Sequence, residues 1–386
     1  MTHDLLITNA RVVLAHETLR QATVQLRDGL IQAVHHGTSN LPGAVDLHGD
    51  WLIPGLVELH TDNLERHVTP RPRTALPMSS AVPAHDAEIA AAGITTVFDA
   101  IGVGDPYGDG FRARDQGMLL GVLDQLEAAG LLRSQHLIHV RCELPADNAL
   151  ELFEPFATHR RLRLISLMDH TPGQRQWEDL RQARIYYTGK RGWSDEKFDR
   201  QVALAPELQR HHAVPHREYF VAYANSHEIV LASHDDTTLA HVEEAAQSGA
   251  TISEFPTTVA AARAACAKGL SVVMGAPNVV RGGSHSGNVA AAQLARLGLL
   301  DVLSSDYVPS SLLLSAFMLV DLAGFTVPRA IATISRNPAL AVGLADRGEI
   351  AVGRRADLVQ VRLVAEGSHA PQPHVVGVWR AGARVI

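Results

Sequence analysis

Leu56-Val57-Glu58-Leu59-His60-Thr61-Asp62 is a short apolar run that ends in an imidazole and a carboxylate. Runs of this length and composition read as strands buried on both faces. Seven more follow, at residues 95–98, 137–140, 162–167, 229–232, 251–255, 271–274 and 301–304, with helical stretches between them. One such stretch, 237–248, starts on a threonine and stops at Gly249. Eight strand–helix repeats predict an α/β fold built on a (β/α)₈ TIM-like barrel.

The chain ends read differently. Residues 5–7, 11–14, 23–26 and 30–34 are apolar or alternating runs, and Asp28-Gly29 is a hairpin signal. Strand-like runs return at 356–361 and 374–379. The expected division is therefore a small β-sandwich module from 1–52 plus 348–386, and a barrel from 53–347. One interval is long. Residues of about 171–228 include Trp177, Tyr186, Tyr187, Lys190, Arg191 and Trp193, and read as a helical insertion over the barrel mouth that acts as a lid.

Composition narrows the function. The 386 residues are 46% hydrophobic and 19% charged, enough for a large core and against wholesale disorder. A net charge of −7 argues against a nucleic-acid or membrane-surface binder. Two cysteines, Cys142 and Cys266, cannot make a disulfide framework or a cysteine zinc site, and read as reduced thiols in a cytosol. Met1-Thr2-His3-Asp4 lacks the features of a signal peptide, and no apolar run is long enough to span a membrane. Histidine is unusually abundant, with 21 residues.

Barrel enzymes place their chemistry at the carboxyl ends of the strands. Here those ends carry His60-Thr61-Asp62, Arg141-Cys142-Glu143, Asp169-His170, His234-Asp235-Asp236, Glu254 and Asp306. Imidazole plus carboxylate suits zinc, manganese or iron. His60 and Asp62, two apart in a strand, would point the same way. Glu143 would bridge two ions, and Asp306 would serve as general base. A single histidine near a strand end is more often hydrogen-bonded structure than a ligand, and His60-x-Asp62 alone is a weak signal. Repetition on successive strands is what favours a metal, because each buried titratable group needs a partner. Cys142, facing away from Glu143, reads as a core residue.

Three loops follow the same strand ends. Thr69-Pro70-Arg71-Pro72-Arg73 carries two guanidiniums suited to phosphate. Gly275 through Asn288 contains Asn278, Arg281 and His285, with a helix expected to start near His285. Lys190-Arg191 lies in the insertion. Alone, the first reads as a solvated basic loop, the second as a simple glycine-rich turn, and the third is weaker still; together they favour a phosphorylated small-molecule substrate.

Ile53-Pro54-Gly55-Leu56-Val57-Glu58-Leu59-His60, the split β module and Gly353-Arg354-Arg355-Ala356-Asp357-Leu358-Val359 resemble the amidohydrolase superfamily. Within it the chain is similar, essentially end to end, to the diphosphatase family of the carbon–phosphorus lyase pathway. That similarity runs through Glu58 to Glu65, Arg141-Cys142-Glu143-Leu144-Pro145, Ser166 to Gln176, Ala232 to Asp236, Glu254 to Thr258, Met274 to Asn288 and Ser304 to Tyr307. The resemblance implies hydrolysis of a ribose phosphonate triphosphate between its α and β phosphorus atoms, in phosphonate catabolism. It implies one or two divalent ions, zinc or manganese, on His60, Asp62, Glu143, His234 and Asp306, with His170 or Glu254 completing the set. Arg71, Arg73, Lys190, Asn278, Arg281 and His285 would hold the substrate. Nucleic acid and membranes are not expected partners; a homo-oligomer is compatible with the sequence. The alternatives are a deacetylase or cyclic amidase acting on a C–N bond, and a non-catalytic metal-stabilised scaffold.

Overall fold

The computed structural model describes residues 4–71, 74–107, 116–284, 286–365 and 371–386, the side chains of Gln116, Lys190 and Arg191 excepted. Sixteen strands among these residues form two sheets. The terminal sheet holds β1 (Asp4–Val13), β2 (Thr18–Arg27), β3 (Leu30–His36), β4 (Val45–Asp46) and β5 (Trp51–Pro54). The barrel follows with β6 (Leu56–Thr61), β7 (Ile94–Val103), β8 (Gln135–Glu143), β9 (Leu162–Met168), β10 (Val230–His234), β11 (Ile252–Glu254), β12 (Ser271–Gly275) and β13 (Val302–Ser304). β14 (Leu358–Val364), β15 (Gln372–Arg380) and β16 (Ala383–Arg384) then return to the terminal sheet.

All eight apolar runs of the middle segment are parallel strands in sequence order from β6 to β13. The ring is completed at the β6–β13 seam, where Asp306 N–H donates to the His60 carbonyl and Asp62 N–H to the Asp306 carbonyl, both at 3.1 Å. Val57, Leu59, Phe98, Leu137, Leu164, Val273 and Val302 fill the barrel interior. A larger core outside the strands includes Phe153, Phe156, Phe220 and Leu319. Cys142 is fully buried in that outer core, as its alternation with Glu143 required.

The terminal sheet has the order β16-β15-β14-β5-β1-β2-β3, with β4 on β1, and packs Ile7, Val24, Leu52, Leu358 and Trp379 around its own centre. The two first runs expected as separate strands are one strand, β1. Its register shifts after Ile7, where Asn9 takes a φ of +54°, a conformation that asparagine tolerates better than most residues. Turn-like polarity at Thr8-Asn9 therefore marked a bulge, not a strand end.

Helices occupy the long interval. A short 3₁₀ turn (Arg175–Trp177) leads to helices Leu180–Arg191 and Asp195–Ser226. Asp179 and Ser194 cap them by accepting from the backbone N–H of Arg181 and Lys197. Trp177, Tyr187, Trp193 and Phe198 cluster between these elements, with Tyr107 packed against them. The insertion is tied to the barrel mouth: Gln209 Nε2 donates to Asp169 at 2.7 Å, and His216 Nδ1 to the Leu144 carbonyl at 2.9 Å.

Candidate metal centre

Alternation along β8 sends His139, Arg141 and Glu143 to one face, the barrel interior, above Leu137. The same rule brings Ser166 above Leu164 on β9, His234 above Ala232 on β10 and Glu254 above Ile252 on β11. His60 does not follow a simple alternation. The β6–β7 register shifts between Glu58 and Thr61, and Asp62 lies past the strand as the residue preceding helix Asn63–Val68. The expectation that His60 and Asp62 align as i and i+2 of a regular strand is thus corrected. Buried Glu58 holds this irregularity, accepting from the N–H groups of His60 and Ser305, each at 2.6 Å, and from Ser304 Oγ at 2.8 Å. Burial pushes its carboxyl pKa up, against the pull of those donors.

Glu254 is the hub. It is fully buried, and its two oxygens meet His60 Nδ1 at 3.0 Å and His234 Nδ1 at 3.2 Å. Ser166 Oγ donates to it at 2.5 Å and lies as close to His139 Nε2. Burial works to raise the Glu254 pKa, but the surrounding histidines hold it well below the carboxylate range. A carboxylate on Nδ1 fixes the tautomer and orientation of an imidazole and leaves Nε2 for a ligand. Glu254 does this for two rings at once. Phe255, held at a φ of +53°, packs its ring 5.0 Å from that of His60 and 5.4 Å from that of His234.

The freed Nε2 of His234 lies 3.4 Å from Asp235 Oδ2, and His170 Nε2 lies 3.6 Å from the same oxygen. That oxygen is buried and has no hydrogen-bond partner. Tetrahedral ligands about 2.05 Å from a zinc ion are about 3.3 Å apart. The spacing is too long for hydrogen bonds and right for a shared cation, so these residues fit a divalent ion. Glu143 engages the other nitrogen of His170 at 2.5 Å and its N–H at 2.8 Å. Burial works to lower the His170 pKa, yet Glu143 and Asp235 on either side lift it to about 10. The cavity between two carboxylates therefore favours positive charge. It opens beside Pro106, Tyr107, Pro145 and Leu208.

Asp306 takes a φ of +54°, and its carbonyl also accepts from Thr61 Oγ1 at 2.8 Å. The closing seam thereby sets it next to His60 and Asp62. A second cluster has different character. His85, Asp99 and His136 lie between helix Met78–Ala91, β7 and β8, at hydrogen-bond distances of 2.7 and 2.8 Å. Asn63 and Asp86 satisfy the outer ring nitrogens. No atom of these two rings or of the Asp99 carboxylate lacks a partner, so the cluster reads as a structural network.

The loops are less convergent. Arg71 and Arg281 are exposed. Asn278 spans its own loop, Nδ2 donating to the Val289 carbonyl at 3.2 Å and Oδ1 accepting from Ala291 N–H at 2.9 Å. The helix in this loop is Ala276–Arg281, ahead of the expected start, because Pro277 favours the first helical turn and Gly282 terminates it. Arg73, His285 and the Lys190 side chain lie outside the described residues. His139, Ser166, Asp235 and Phe255 carry site geometry that the strand-end reading did not single out. The signal for His139 was its even spacing, two residues from Arg141 and four from Glu143.

A parallel barrel with buried imidazoles and carboxylates converging at the carboxyl ends of its strands has the frame of a metal-dependent hydrolase. Residues 232–386 match the family described as Amidohydrolase family. The chain is 45% identical, over 99% of its length and 100% of the relative's, to the alpha-D-ribose 1-methylphosphonate 5-triphosphate diphosphatase of Escherichia coli (strain K12). The chain belongs to the amidohydrolase family. Its fold is also that of N-acetyl-D-glucosamine-6-phosphate deacetylase from Mycobacterium smegmatis, with a TM-score of 0.59, 18% identity, and 99% of this chain and 100% of that one covered. Dihydropyrimidinase from Brevibacillus agri superimposes at a TM-score of 0.61 with 14% identity, covering 100% and 95% of the two chains. Family and side-chain clusters together support a divalent metal.

Proposed function

We propose that this protein hydrolyses alpha-D-ribose 1-methylphosphonate 5-triphosphate between the α and β phosphorus atoms, releasing diphosphate and ribose 1-methylphosphonate 5-phosphate. The observation that carries this reading is 45% identity, over 99% of this chain and 100% of the relative, to a diphosphatase of that name. The site supports it with the orphaned Asp235 oxygen between two histidines.

His170, His234 and Asp235 would hold a divalent ion, zinc or manganese by donor type, with Glu143 bracing His170 and Glu254 orienting His234. His60, Asp62 and Asp306 border the same mouth and complete the ligand set. A bound divalent ion supplies Lewis acidity there. Asp306 takes the proton of the attacking water. Arg71 and Arg281, with Arg73, Lys190 and His285, provide cations for the polyphosphate and the phosphonate. Diphosphate is a good leaving group, so positioning matters more than a strong general acid.

The test is incubation of metal-loaded protein with the triphosphate, followed by phosphorus NMR. Diphosphate release is expected, and it stops on chelation. Orthophosphate alone, no turnover, or turnover confined to N-acyl or cyclic amide substrates would refute the reading.

A further inference from the structure

Arg141 stands between His139 and Glu143 on the inward face of β8 and is 9% exposed. Its contacts are long for so buried a guanidinium. Nη1 lies 3.4 Å from His60 Nε2 and Nη2 lies 3.7 Å from Glu65 Oε1. Nε is buried with no hydrogen-bond partner. A guanidinium offers five N–H donors, and leaving buried donors unpaired is costly. A guanidinium keeps its positive charge in proteins, so the fork is a cation as well as a donor.

The surroundings say what would satisfy it. Glu143, two residues along the same face, is the carboxylate that braces His170. His60, whose Nε2 the fork approaches, has its ring 5.6 Å from that of His234, so the guanidinium stands beside the candidate ligands. Acidic neighbours hold the charge, yet none closes on it in two-point geometry. A planar fork with one donor unpaired and its two ends held only at long range matches two oxygens of one phosphoryl group.

We propose that Arg141 is a catalytic residue that grips the two non-bridging oxygens of the phosphoryl group under attack. This rests on the diphosphatase reading. In the step, a water oxygen forms a bond to the α phosphorus and gives its proton to Asp306. The bond from that phosphorus to the α–β bridging oxygen breaks, and its electron pair leaves with diphosphate. Negative charge gathers on the oxygens that Arg141 holds, so the contact strengthens towards the transition state.

The experiment compares metal-loaded wild type with Arg141→Gln and Arg141→Lys. Diphosphate release, bound metal and affinity for the non-hydrolysable α,β-methylene triphosphate analogue are measured. We expect kcat to fall by roughly 10²–10³ in Arg141→Gln, with less loss in Arg141→Lys. Metal content should stay at the wild-type level, analogue binding should weaken at least about tenfold, as for loss of one charge-assisted contact, and methylguanidine should restore part of the Arg141→Gln activity. A folded, metal-loaded variant that keeps kcat within about threefold of wild type, well short of the range for a transition-state donor, would overturn the assignment. So would a loss reversed by excess metal, which would mean the guanidinium merely props His60. Should Arg141→Gln not fold, Arg141→Lys carries the same criteria. Wild type that releases no diphosphate fails the functional reading itself, and the Arg141 role with it.

Discussion

Glu254 carries one imidazole on each oxygen, His60 and His234, and so sets the direction of both rings. Glu254→Gln replaces one acceptor by a donor and cannot serve both Nδ1–H groups. Its affinity for a divalent ion should drop by about 10- to 100-fold, as for other outer-shell partners of metal ligands. Competition with a chromophoric chelator measures this; unchanged affinity would contradict the orienting role. Asp235→Asn should leave the fold intact and reduce metal retention, because it removes the charge that His170 and His234 face. Metal analysis after dialysis checks it. Part of this residue-level pattern was legible. Strand ends rich in histidine and carboxylate pointed to His60, Glu143, His170, His234 and Glu254. Asp235 was visible in the sequence but not separable from Asp236, since neither alternation nor composition says which carboxylate turns inward. A φ of +55° at Asp235 decides that, and it is a property of the folded backbone.

Elements differ in what holds them. Helix Met78–Ala91 is fastened to β7 and β8 by the buried His85–Asp99–His136 network. Burial works to lower the His136 pKa, but Asp99 and Asp86 raise it to about 9. A pKa raised on folding contributes stability that is complete below the unfolded value of about 6.5 and is lost as pH rises through about 9. Asp99, whose pKa is lowered, acts oppositely: its contribution is present at neutral pH and is lost only in acid. The thermal midpoint should therefore decline between pH 6.5 and 9 by a component that is missing in His136→Gln. Equal slopes in both proteins would show that the network does not titrate this way. The insertion rests on its aromatic cluster. Tyr187→Ala removes a nearly buried ring stacked at 4.6 Å on Trp193. It should cost the insertion about 3–5 kcal/mol, the range for aromatic truncation. Hydrogen exchange should accelerate across helices Leu180–Arg191 and Asp195–Ser226 while β8 and β9 stay protected. The aromatic residues of this interval were conspicuous in the sequence. What they would pack against was not, because the Tyr107 contact spans some eighty positions.

At the scale of the molecule, the barrel and the terminal sheet meet at Gly55, between β5 and β6. Its N–H donates to the Asp357 carbonyl at 2.8 Å, and a Cβ there would stand 2.3 Å from Thr95 Oγ1 and 2.8 Å from Asp357 Cβ. Gly55→Ala should force the two sheets apart and lower the thermal midpoint markedly; a variant of wild-type stability would refute that close approach. Arg347 adds to the junction, donating to Thr96 at 2.8 Å and to Gln135 at 2.5 Å. The sequence by itself determined the eight parallel strands and the β character of both ends. Those features follow from local hydrophobic period and turn chemistry, which neighbouring residues carry. It also pointed to the strand ends as the place where acid and imidazole groups gather, although alternation alone does not bring His60 inward. Only the tertiary structure decided how they divide their work. Glu254 is turned to the ring nitrogens of two histidines, Asp235 is left with an unpaired oxygen, and Arg141 is left with an unpaired Nε donor. Those outcomes depend on distances of about 3 Å between residues from 20 to 194 positions apart, which a hydrogen bond requires and a sequence pattern does not encode.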